Sequence, residues 1–260
     1  MNWALKRQAF YLFIIIIFFS VLAFYFIFPY FDKIPTCTNG KQDGTETGID
    51  CGGSCSLACT KEVDQISIFW SRAFRVVPGR YNAVTYLENK NENTVVNKIK
   101  YRFRFADKDN IYIGKREGET FIPAKGKFAI FEGAIDLGNS VPIYTTFEFM
   151  ETPNWVQVSK EEINQLKVFV SDIKLENENT EPKLSAVVKN NSLLRIPEVS
   201  FIAILYDAQG NVVSTSHTYL DLLKGEENAN INFTWREPFS SVVVTKEIIP
   251  MFNIFLVSSK

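Results

Sequence analysis

The 260-residue sequence is poor in two features on which many enzymes and nucleic-acid-binding proteins depend, histidine and an excess of positive charge. It has one histidine, His217, which excludes catalytic and metal sites built from histidine clusters. Its formal net charge is −1, so no excess of basic residues favours nucleic acid as a partner. The sequence has no G-x-S-x-G motif, and strand alternation turns the serines beside His217 to the opposite face. These absences predict that the chain is not an enzyme; a paired-carboxylate site assembled by the fold is the alternative that stays open.

Charge is also missing from a long segment near the N-terminus. Residues 10–31 contain no charged side chain, and as a helix they span about 33 Å, enough for the hydrocarbon core of a bilayer. A buried helix of a soluble protein is rarely apolar on every face at this length. A cleavable signal peptide, the other alternative, has a shorter apolar region and a small-x-small cleavage site, and neither occurs here.

Two basic residues, Lys6 and Arg7, precede this apolar segment, and no net charge follows it directly. Because positive charge stays on the cytoplasmic side, residues 1–9 are predicted to be a cytoplasmic tail. Residues 10–31 are predicted to be an uncleaved signal-anchor helix that crosses the cell membrane once. The lipid bilayer is then one partner of the chain, and the C-terminal domains are extracytoplasmic.

Cysteine is absent outside a module predicted at residues 32–60. Within it, four cysteines follow the spacing C-x13-C-x3-C-x3-C: Cys37, Cys51, Cys55 and Cys59. Thiols oxidise outside the cytoplasm, so this segment, too short for a core of its own, is predicted to hold two disulfides, with all three pairings open. A zinc site is the alternative, but zinc ligands usually come as two close cysteine pairs, and Cys37 stands alone.

Four side chains with hard oxygen atoms occur within eight residues of this module: Asp43, Thr45, Glu46 and Asp50. Calcium prefers such ligands, and the glycines of the same run allow tight turns. The order of residues is not that of an EF-hand loop. These four residues therefore predict a calcium site, the one cofactor that the sequence suggests, and a hydrated loop pinned by disulfides is the alternative.

The module resembles a short cysteine motif that recurs in bacterial cell-surface and secreted proteins and contains the string D-C-G-G-x-C. The matching residues are Asn39-Gly40, Asp43-Gly44, Glu46-Thr47-Gly48, Asp50-Cys51-Gly52-Gly53 and Cys55. The motif usually closes with C-x-x-C, whereas three residues separate Cys55 from Cys59 here. The resemblance implies a bacterial surface protein and names no activity.

Long amphipathic helical periodicity is missing after the apolar segment. From Gln65 onward, short runs of alternating apolar and polar residues are broken by Asn, Gly, Asp and Pro, which predicts antiparallel strands and a mainly-β fold. Residues 159–166 are the one segment that favours a helical turn. The sequence therefore predicts two β-domains, at residues 61–158 and 159–260, joined by this connector.

The two predicted β-domains share a pattern. The spacings of three marker residues agree within one residue: 18 and 19 residues along Asn89, Asp107 and Gly126, and 17 and 18 along Asn190, Asp207 and Gly225. In each half the Asp opens a turn after a strand, and a Lys-Gly pair precedes another strand. A period of about 100 residues predicts duplicated antiparallel sandwiches rather than a solenoid, whose repeats are shorter.

The second half resembles the FxLYD family of extracytoplasmic β-sandwich domains. The matching residues are Leu205-Tyr206-Asp207, Gly210-Asn211-Val212-Val213 and Leu222-Leu223-Lys224-Gly225-Glu226. Ala203 stands where the family name expects Phe, and the first half keeps Phe103 but replaces Leu and Tyr with Phe105 and Ala106. The resemblance implies tandem immunoglobulin-like folds and carries over no catalytic residue.

Domain repetition without a catalytic constellation predicts a non-catalytic binding or scaffolding protein of the cell envelope. Its partner is expected to be an envelope protein or polysaccharide, which the sequence does not identify. The alternative is an accessory subunit of a membrane complex that associates through its helix, whose only small residues are Ser20 and Ala23. Tryptophans 70, 155 and 235 are predicted to fill cores or domain ends, with sugar stacking as the alternative.

Overall fold

The computed structural model describes residues 3–31 and 36–257. The chain forms two compact units, the first ending at Cys59 and the second beginning at Thr60. The first unit holds one helix and the cysteine-rich module, and the second holds antiparallel β-sheets. The predicted fold class, mainly β with one N-terminal apolar helix and a small disulfide-bonded module, is confirmed.

The N-terminal helix α1 runs from Trp3 to Phe31 and so begins seven residues before the apolar segment. Its stretch Lys6–Ile27 is long and apolar enough to cross a membrane, and none of it is buried. The Arg7 guanidinium lies 5.5 Å from the ring centroid of Trp3 and 5.8 Å from that of Tyr11, because residues four apart share a helix face. An exposed apolar helix of this length is a membrane anchor or a signal sequence rather than a core helix.

Seven strands follow the module. They are β1 Ser67–Val77, β2 Arg80–Asn89, β3 Thr94–Ala106, β4 Tyr112–Ile122, β5 Gly126–Asp136, β6 Tyr144–Phe149 and β7 Val156–Gln157. They form two antiparallel sheets, β1–β2–β5 and β4–β3–β6, and the short β7 pairs with the start of β3. We refer to these two sheets as sandwich 1.

A single helical turn, α2 Lys160–Gln165, connects sandwich 1 to the next six strands. Ser159 is its N-cap and forms a capping box with Glu162, and this box defines the start of the helical turn.

The six strands that follow are β8 Val168–Glu176, β9 Lys183–Asn190, β10 Ile196–Tyr206, β11 Val212–Leu223, β12 Asn228–Thr234 and β13 Thr245–Met251. They form the antiparallel sheets β8–β9–β12 and β11–β10–β13, which we call sandwich 2. Short 3-10 helices, Thr60–Glu62 and Ile254–Leu256, flank the sandwiches.

The strand order is the same in both sandwiches. Numbered from its own first strand, each has a sheet of order 1-2-5 and a sheet of order 4-3-6. The marker aspartates also behave alike: Asp107 accepts hydrogen bonds from the backbone N–H groups two and four residues on, at 2.9 Å each, and Asp207 does so at 2.9 and 2.8 Å. Each carboxylate thereby closes the turn between the third and fourth strands of its sandwich.

The core of sandwich 1 is built from aromatic side chains. Alternation along β3 turns Tyr101, Phe103 and Phe105 inward, and all three are at most 5% exposed. Phe147 of β6 meets them at ring-centroid distances of 5.7 Å from Tyr101 and 5.1 Å from Phe103. The core of sandwich 2 is mostly aliphatic and includes Leu184, which is fully buried.

The two sandwiches pack against each other through the outer faces of their central sheets. Val84 and Tyr86 point away from the core of sandwich 1, yet they are only 0% and 7% exposed. Ile202 and Ile204 likewise point away from the core of sandwich 2 and are 3% and 0% exposed. Strands β2 and β10 are thus covered on both faces, and the four sheets form four stacked layers.

Like ends of the sandwiches lie together. We call the end at which the chain enters at Ser67 the proximal end, and the opposite end the distal end. At the distal end, Arg75 near the end of β1 forms an ion pair at 3.3 Å with Glu237 in the loop between β12 and β13. At the proximal end, Asn253 donates a hydrogen bond of 2.8 Å to the side-chain oxygen of Asn97.

A buried asparagine closes the proximal end of sandwich 2. Asn190, the last residue of β9, is fully buried and donates from Nδ2 to the carbonyl oxygens of Leu194, Leu223 and Lys224, at 2.7, 3.3 and 3.0 Å. Its side-chain oxygen accepts hydrogen bonds from the N–H and hydroxyl of Ser192. One amide therefore ties the loop after β9 to the end of β11.

Asn89 occupies the same place in sandwich 1. It ends β2, is fully buried, and donates from Nδ2 to the carbonyl oxygens of Thr94 and Pro123, at 3.0 and 2.7 Å. Its side-chain oxygen accepts hydrogen bonds from Asn91. The asparagine that the two halves of the sequence share therefore has a structural role: its side chain holds the loops at the proximal end of each sandwich together. We call this arrangement the asparagine clasp.

Glu247 of β13 joins the two sandwiches. One carboxylate oxygen accepts a hydrogen bond of 2.7 Å from the hydroxyl of Tyr86, and the other accepts one of 2.8 Å from Tyr206. Burial, followed by the hydrogen bonds to Glu247, raises the pKa of both phenols above the ordinary value for tyrosine. The fold therefore favours their neutral form.

Replacing Asn190 by Ala is expected to lower the free energy of unfolding by about 3 kcal/mol, because it leaves carbonyl groups at the closed end of sandwich 2 without a donor. Urea unfolding of the full chain measures this. Asn230→Ala is the matched control, because Asn230 is exposed in the same sandwich and its side chain has no partner among the described residues; we expect a change within about 0.5 kcal/mol. Equal effects of the two substitutions would contradict the clasp.

Stability is expected to fall as pH rises above about 10, the ordinary pKa of tyrosine. The folded-state pKa of Tyr86 and Tyr206 lies above the unfolded value, so their contribution is complete below that pH and is lost as the unfolded chain ionises. Urea unfolding at neutral and alkaline pH should show a smaller alkaline loss in the double variant Tyr86→Phe, Tyr206→Phe. Parallel pH curves for variant and unchanged protein would count against this explanation.

Candidate functional site

The four cysteines pair as Cys37–Cys55 and Cys51–Cys59. The prediction of two disulfides is confirmed, and the pairing, which the sequence left open, interleaves the two bridges along the chain. Cys55 and Cys59 are buried, so the bridges form the interior of a module that has no strand or helix of its own between residues 36 and 59. Disulfide bonds are typical of proteins outside the cytoplasm.

Two glycines of the module allow the chain to pass close to itself. A Cβ on Gly53 would lie 1.9 Å from the carbonyl oxygen of Thr45, and the φ of Gly53 is +57°. A Cβ on Gly48 would lie 2.8 Å from the sulfur of Cys59 and 2.9 Å from that of Cys51. The glycines at these motif positions are therefore required by packing around the disulfides.

The acidic residues of the predicted calcium site hold the backbone of the module. Asp50 accepts hydrogen bonds from the N–H groups of Asn39 and Gly40, at 2.9 and 2.8 Å. Glu46 is 6% exposed and accepts hydrogen bonds of 3.2 Å from the N–H groups of Asp43 and Asp50. These carboxylates thus satisfy donors that a segment without secondary structure would leave unpaired.

The remaining predicted ligands are also engaged. Asp43 accepts hydrogen bonds from the N–H of Thr36 and the amide of Asn39, at 2.9 and 2.7 Å. The hydroxyl of Thr45 lies 2.7 Å from that of Ser54. A calcium ion would compete with these internal hydrogen bonds, and calcium binding stays a prediction.

Among the described residues, one set of three acidic, cysteine or histidine side chains brings its ligand atoms within 4.8 Å of one another: Cys37, Glu46 and Cys55. The two sulfurs belong to one disulfide, so the oxidised module offers no thiolate to a metal there.

The histidine and the tryptophans singled out in the sequence lie in different parts of the two sandwiches. His217 lies at the edge of the inter-sandwich interface, where its ring stacks on Phe131 at 5.3 Å, and this partial covering lowers its pKa. Trp155 is buried, as predicted for a domain end, and Trp70 stacks on Tyr86 at 5.6 Å. Trp235 borders a cleft between the sandwiches.

The outer face of the sheet β4–β3–β6 carries a ladder of paired charges. Arg102 donates to Glu117 at 2.7 Å and to Glu148 at 3.2 Å, and Arg104 also reaches Glu148, at 2.9 Å. Lys115 donates to Glu117 at 2.8 Å. Because these charges neutralise one another and stay hydrated, this face is a solvated surface rather than a candidate binding face.

The distal end, in contrast, exposes large apolar side chains from loops and strand ends. We call this set the distal apolar surface; its members are Ile111, Tyr112, Val141, Ile143, Tyr144, Val242 and Val244. Each of them is between 51% and 75% exposed. Exposed apolar groups gathered at one end of a domain are typical of interaction sites.

The backbone fixes this exposure. In sandwich 1, the N–H of Ile143 donates to the strand β3 at 2.9 Å, and in sandwich 2 the N–H of Val244 donates to the strand β10 at 2.8 Å. Pro142, which precedes Ile143, and Val243, which precedes Val244, are both buried. Because side chains alternate along the chain, the residues on either side of Pro142 and Val243 point outward. Packing within the fold does not require these outward residues to be apolar, so their apolar character favours a role in binding.

Two tyrosines frame the part of this surface that belongs to sandwich 1. Tyr112 and Tyr144 pair with the same residue, Ala106, from opposite sides of β3. Neighbouring strands lie about 4.8 Å apart, which places the two side chains about 10 Å apart at the same level of the sheet. They are 59% and 51% exposed.

Sequence reasoning did not find the distal apolar surface, because its members come from three loops that are far apart in the chain. A weak signal was present: Ile111, Val141 and the run 242–244 are apolar residues in segments that otherwise read as turns. Only the strand order brings those turns to one end.

No family model matches the chain, and no curated protein matches it. Among solved structures, it is similar to red sea bream transglutaminase, at 8% identity over 74% of this chain and 32% of that one, with a TM-score of 0.24. A β-glucuronidase of glycoside hydrolase family 2 matches at 9% identity over 85% of this chain and 29% of that one, with a TM-score of 0.23.

The C-terminal globular domain of an oligosaccharyltransferase from Pyrococcus abyssi matches at 10% identity, over 72% of this chain and 46% of that one, with a TM-score of 0.20. The chain thus spans less than half the length of each of these three proteins. Likenesses at such TM-scores bear on neither the activity nor the ligand of this chain.

Replacing Gly53 by Ala is expected to prevent correct oxidation of the module, because the new Cβ would collide with the carbonyl of Thr45. Gly40→Ala is the matched control, since Gly40 also has a positive φ, +70°, but nothing within 4 Å of its Cβ position; we expect it to cost about 1 kcal/mol and to leave both disulfides intact. Intact mass after alkylation of the full chain counts the free thiols. Four protected cysteines in both variants would refute the close approach.

Proposed function

We propose that the chain is a membrane-anchored, non-catalytic binding protein of the cell envelope, and that it contacts a protein partner through its distal apolar surface. The observation that carries the proposal is the gathering of seven exposed apolar side chains at one end of the two sandwiches. In this proposal α1 crosses the cell membrane with its N-terminus in the cytoplasm, and the module and sandwiches lie outside.

The chemistry of the surface favours a protein over a polysaccharide. Val141, Ile143, Val242 and Val244 have no side-chain hydrogen-bonding group, so they gain free energy only by contact with another apolar surface. A polysaccharide presents mostly hydroxyls, which would lose water there without a replacement partner. A protein partner with its own apolar patch would bury both surfaces, and the exposed tyrosines suit the rim of such an interface.

Duplication of an FxLYD-like domain is part of the proposal. It is supported by the identical strand order of the sandwiches, by the buried Asn89 and Asn190, and by the turn-closing Asp107 and Asp207. The cysteine motif supports a bacterial surface protein. On this interpretation, each copy contributes the loop between its fifth and sixth strands to the distal apolar surface, at Val141–Ile143 and at Val242–Val244, and the first copy adds Ile111 and Tyr112.

Site-specific photo-crosslinking tests the proposal. A photoreactive amino acid replaces Tyr112, Ile143 or Val244 in the full-length protein, expressed in its own cells, and the adducts are identified by mass. Leu193, at the proximal end and 79% exposed, is the matched control position. We expect the same protein adduct from the three distal positions and none from position 193.

A charge placed in the surface should abolish this adduct. Ile143→Asp is expected to reduce it at least tenfold, because binding would bury an unpaired carboxylate, while Leu193→Asp leaves it unchanged. Adducts that are equal at distal and proximal positions would refute the proposal, and adducts to lipid alone would mean that the surface docks on a bilayer instead.

The same adduct separates this proposal from association through the helix. Replacing α1 by an unrelated apolar helix should leave the adduct at Ile143 in place. Loss of the adduct with the helix exchanged, and the anchor still in the membrane, would favour the accessory-subunit function.

A further inference from the structure

A cleft of about 330 Å³ opens between the two sandwiches near their distal end. The end of β1 lines it on one side, through Phe74, Arg75 and Val76. The start of β11 and the loop after β12 line it on the other side. Its volume lies at the lower end of the range for small-molecule sites.

One wall of the cleft is aromatic. Trp235 and Phe239 meet edge to face at 5.2 Å, and the indole N–H of Trp235 donates to the carbonyl oxygen of Thr215 at 3.3 Å. This hydrogen bond fixes the tryptophan ring beside the strand β11. Phe74 lies across the cleft from this wall.

Three successive residues of β11, Ser214, Thr215 and Ser216, border the cleft. Alternation along the strand turns Ser214 and Ser216 to one face of the sheet and Thr215 to the other. The hydroxyl of Thr215 has no hydrogen-bond partner, but it is shielded from solvent and so is not open to a ligand. Ser214 and Ser216 are half-buried, and their hydroxyls have no hydrogen-bond partner among the described residues, so they are open to a ligand.

The cleft also holds one cation that is not neutralised within the part of the chain that the structure describes. Arg75 is paired with Glu237, whereas Arg236 has no acidic partner there. A second cleft of about 330 Å³ shares Arg236 and Asn82 with the first, so the groove continues past the arginine.

We propose that this cleft binds a sugar ring that carries an acidic substituent. The ring would lie between Trp235 and Phe74, because the apolar faces of sugars stack on aromatic side chains. Its hydroxyls would form hydrogen bonds with Ser214 and Ser216, and its carboxylate would pair with Arg236. The second cleft leaves room for a further residue of an oligosaccharide.

This site is independent of the distal apolar surface, which lacks hydrogen-bonding side chains apart from its two tyrosines. Binding of the acidic sugar does not require the protein partner. Ile143→Asp should therefore leave sugar binding unchanged, so failure of one proposal does not imply failure of the other.

Saturation-transfer difference NMR on the full-length protein in lipid nanodiscs tests the site; detergents with sugar headgroups are avoided because they would compete. The probes are glucuronic acid, its linear tetrasaccharide, and mannose as a neutral comparison. We expect saturation transfer to the ring protons of glucuronic acid, a dissociation constant on the order of 1 mM for the monosaccharide, and weaker binding of mannose.

Two variants distinguish a built site from a hydrated gap. The double variant Ser214→Ala, Ser216→Ala removes both open hydroxyls of the cleft, and we expect binding to weaken about tenfold. Thr218→Val is the matched control, because Thr218 is half-buried on the same face of β11 but lies outside the cleft; binding should not change. Arg236→Gln should weaken glucuronic acid and leave mannose unaffected.

Failure of glucuronic acid and its tetrasaccharide to show saturation transfer overturns the proposal. So does transfer that is the same in the unchanged protein, in the double serine variant and in Arg236→Gln, because such binding would occur elsewhere on the chain. A thermal unfolding scan of each variant confirms that it is folded under the conditions of the measurement.

Discussion

Burial of the outer faces of two sheets against each other is the constraint on which the second unit depends. Val84 and Ile204 have no contact with water, although neither belongs to the core of its own sandwich. Separating the sandwiches would expose these faces, at a cost of roughly 25 cal/mol for each Å² of apolar area. Because domains in one chain move relative to each other unless their interface is apolar and extensive, this burial holds the pair in one arrangement.

The interface also determines where ligands can approach. At this interface the carboxylate of Glu247 accepts a hydrogen bond from one tyrosine hydroxyl of each sandwich. The contact between the sandwiches is therefore polar as well as apolar. Near the distal end, the cleft beside Trp235 lies between the two sandwiches. The outer sheet of sandwich 1 is occupied by its own ion pairs. The distal end is thus where the unit offers both exposed apolar contact area and unsatisfied hydrogen-bonding groups.

Local sequence patterns were enough to predict the parts of the structure that local physics controls. Alternation from Gln65 onward predicted antiparallel strands, of which β3 is one, and the clustering of cysteines predicted two disulfides. The pairing of Cys37 with Cys55 could not be derived, because all three connectivities are compatible with the spacing. The helix α1 began earlier than the apolar segment, since polar residues at a helix end do not interrupt its backbone hydrogen bonds.

The sequence contained a signal for the packing of the two sandwiches against each other, but it is a nearly continuous apolar run and not an alternating pattern. The runs Ala83–Leu87 and Phe201–Leu205 are buried at every position, which is typical of strands covered on both faces. A half-solvated strand would carry polar side chains at every second position. The distal apolar surface and the cleft had no such signal, because each joins residues from loops whose proximity is decided by strand order.

The burial of Asn190 has a consequence for the choice of expression host. Asn190-Asn191-Ser192 has the N-x-S/T pattern that eukaryotic secretory pathways glycosylate, often while the chain is still unfolded. In the folded protein the same amide nitrogen donates to three carbonyl groups and has no access to solvent. A glycan attached during synthesis would therefore keep sandwich 2 from closing. Asn232-Phe233-Thr234, on an exposed face of β12, would tolerate the same modification, so a host that glycosylates would yield a chain modified at one tolerated and one damaging position.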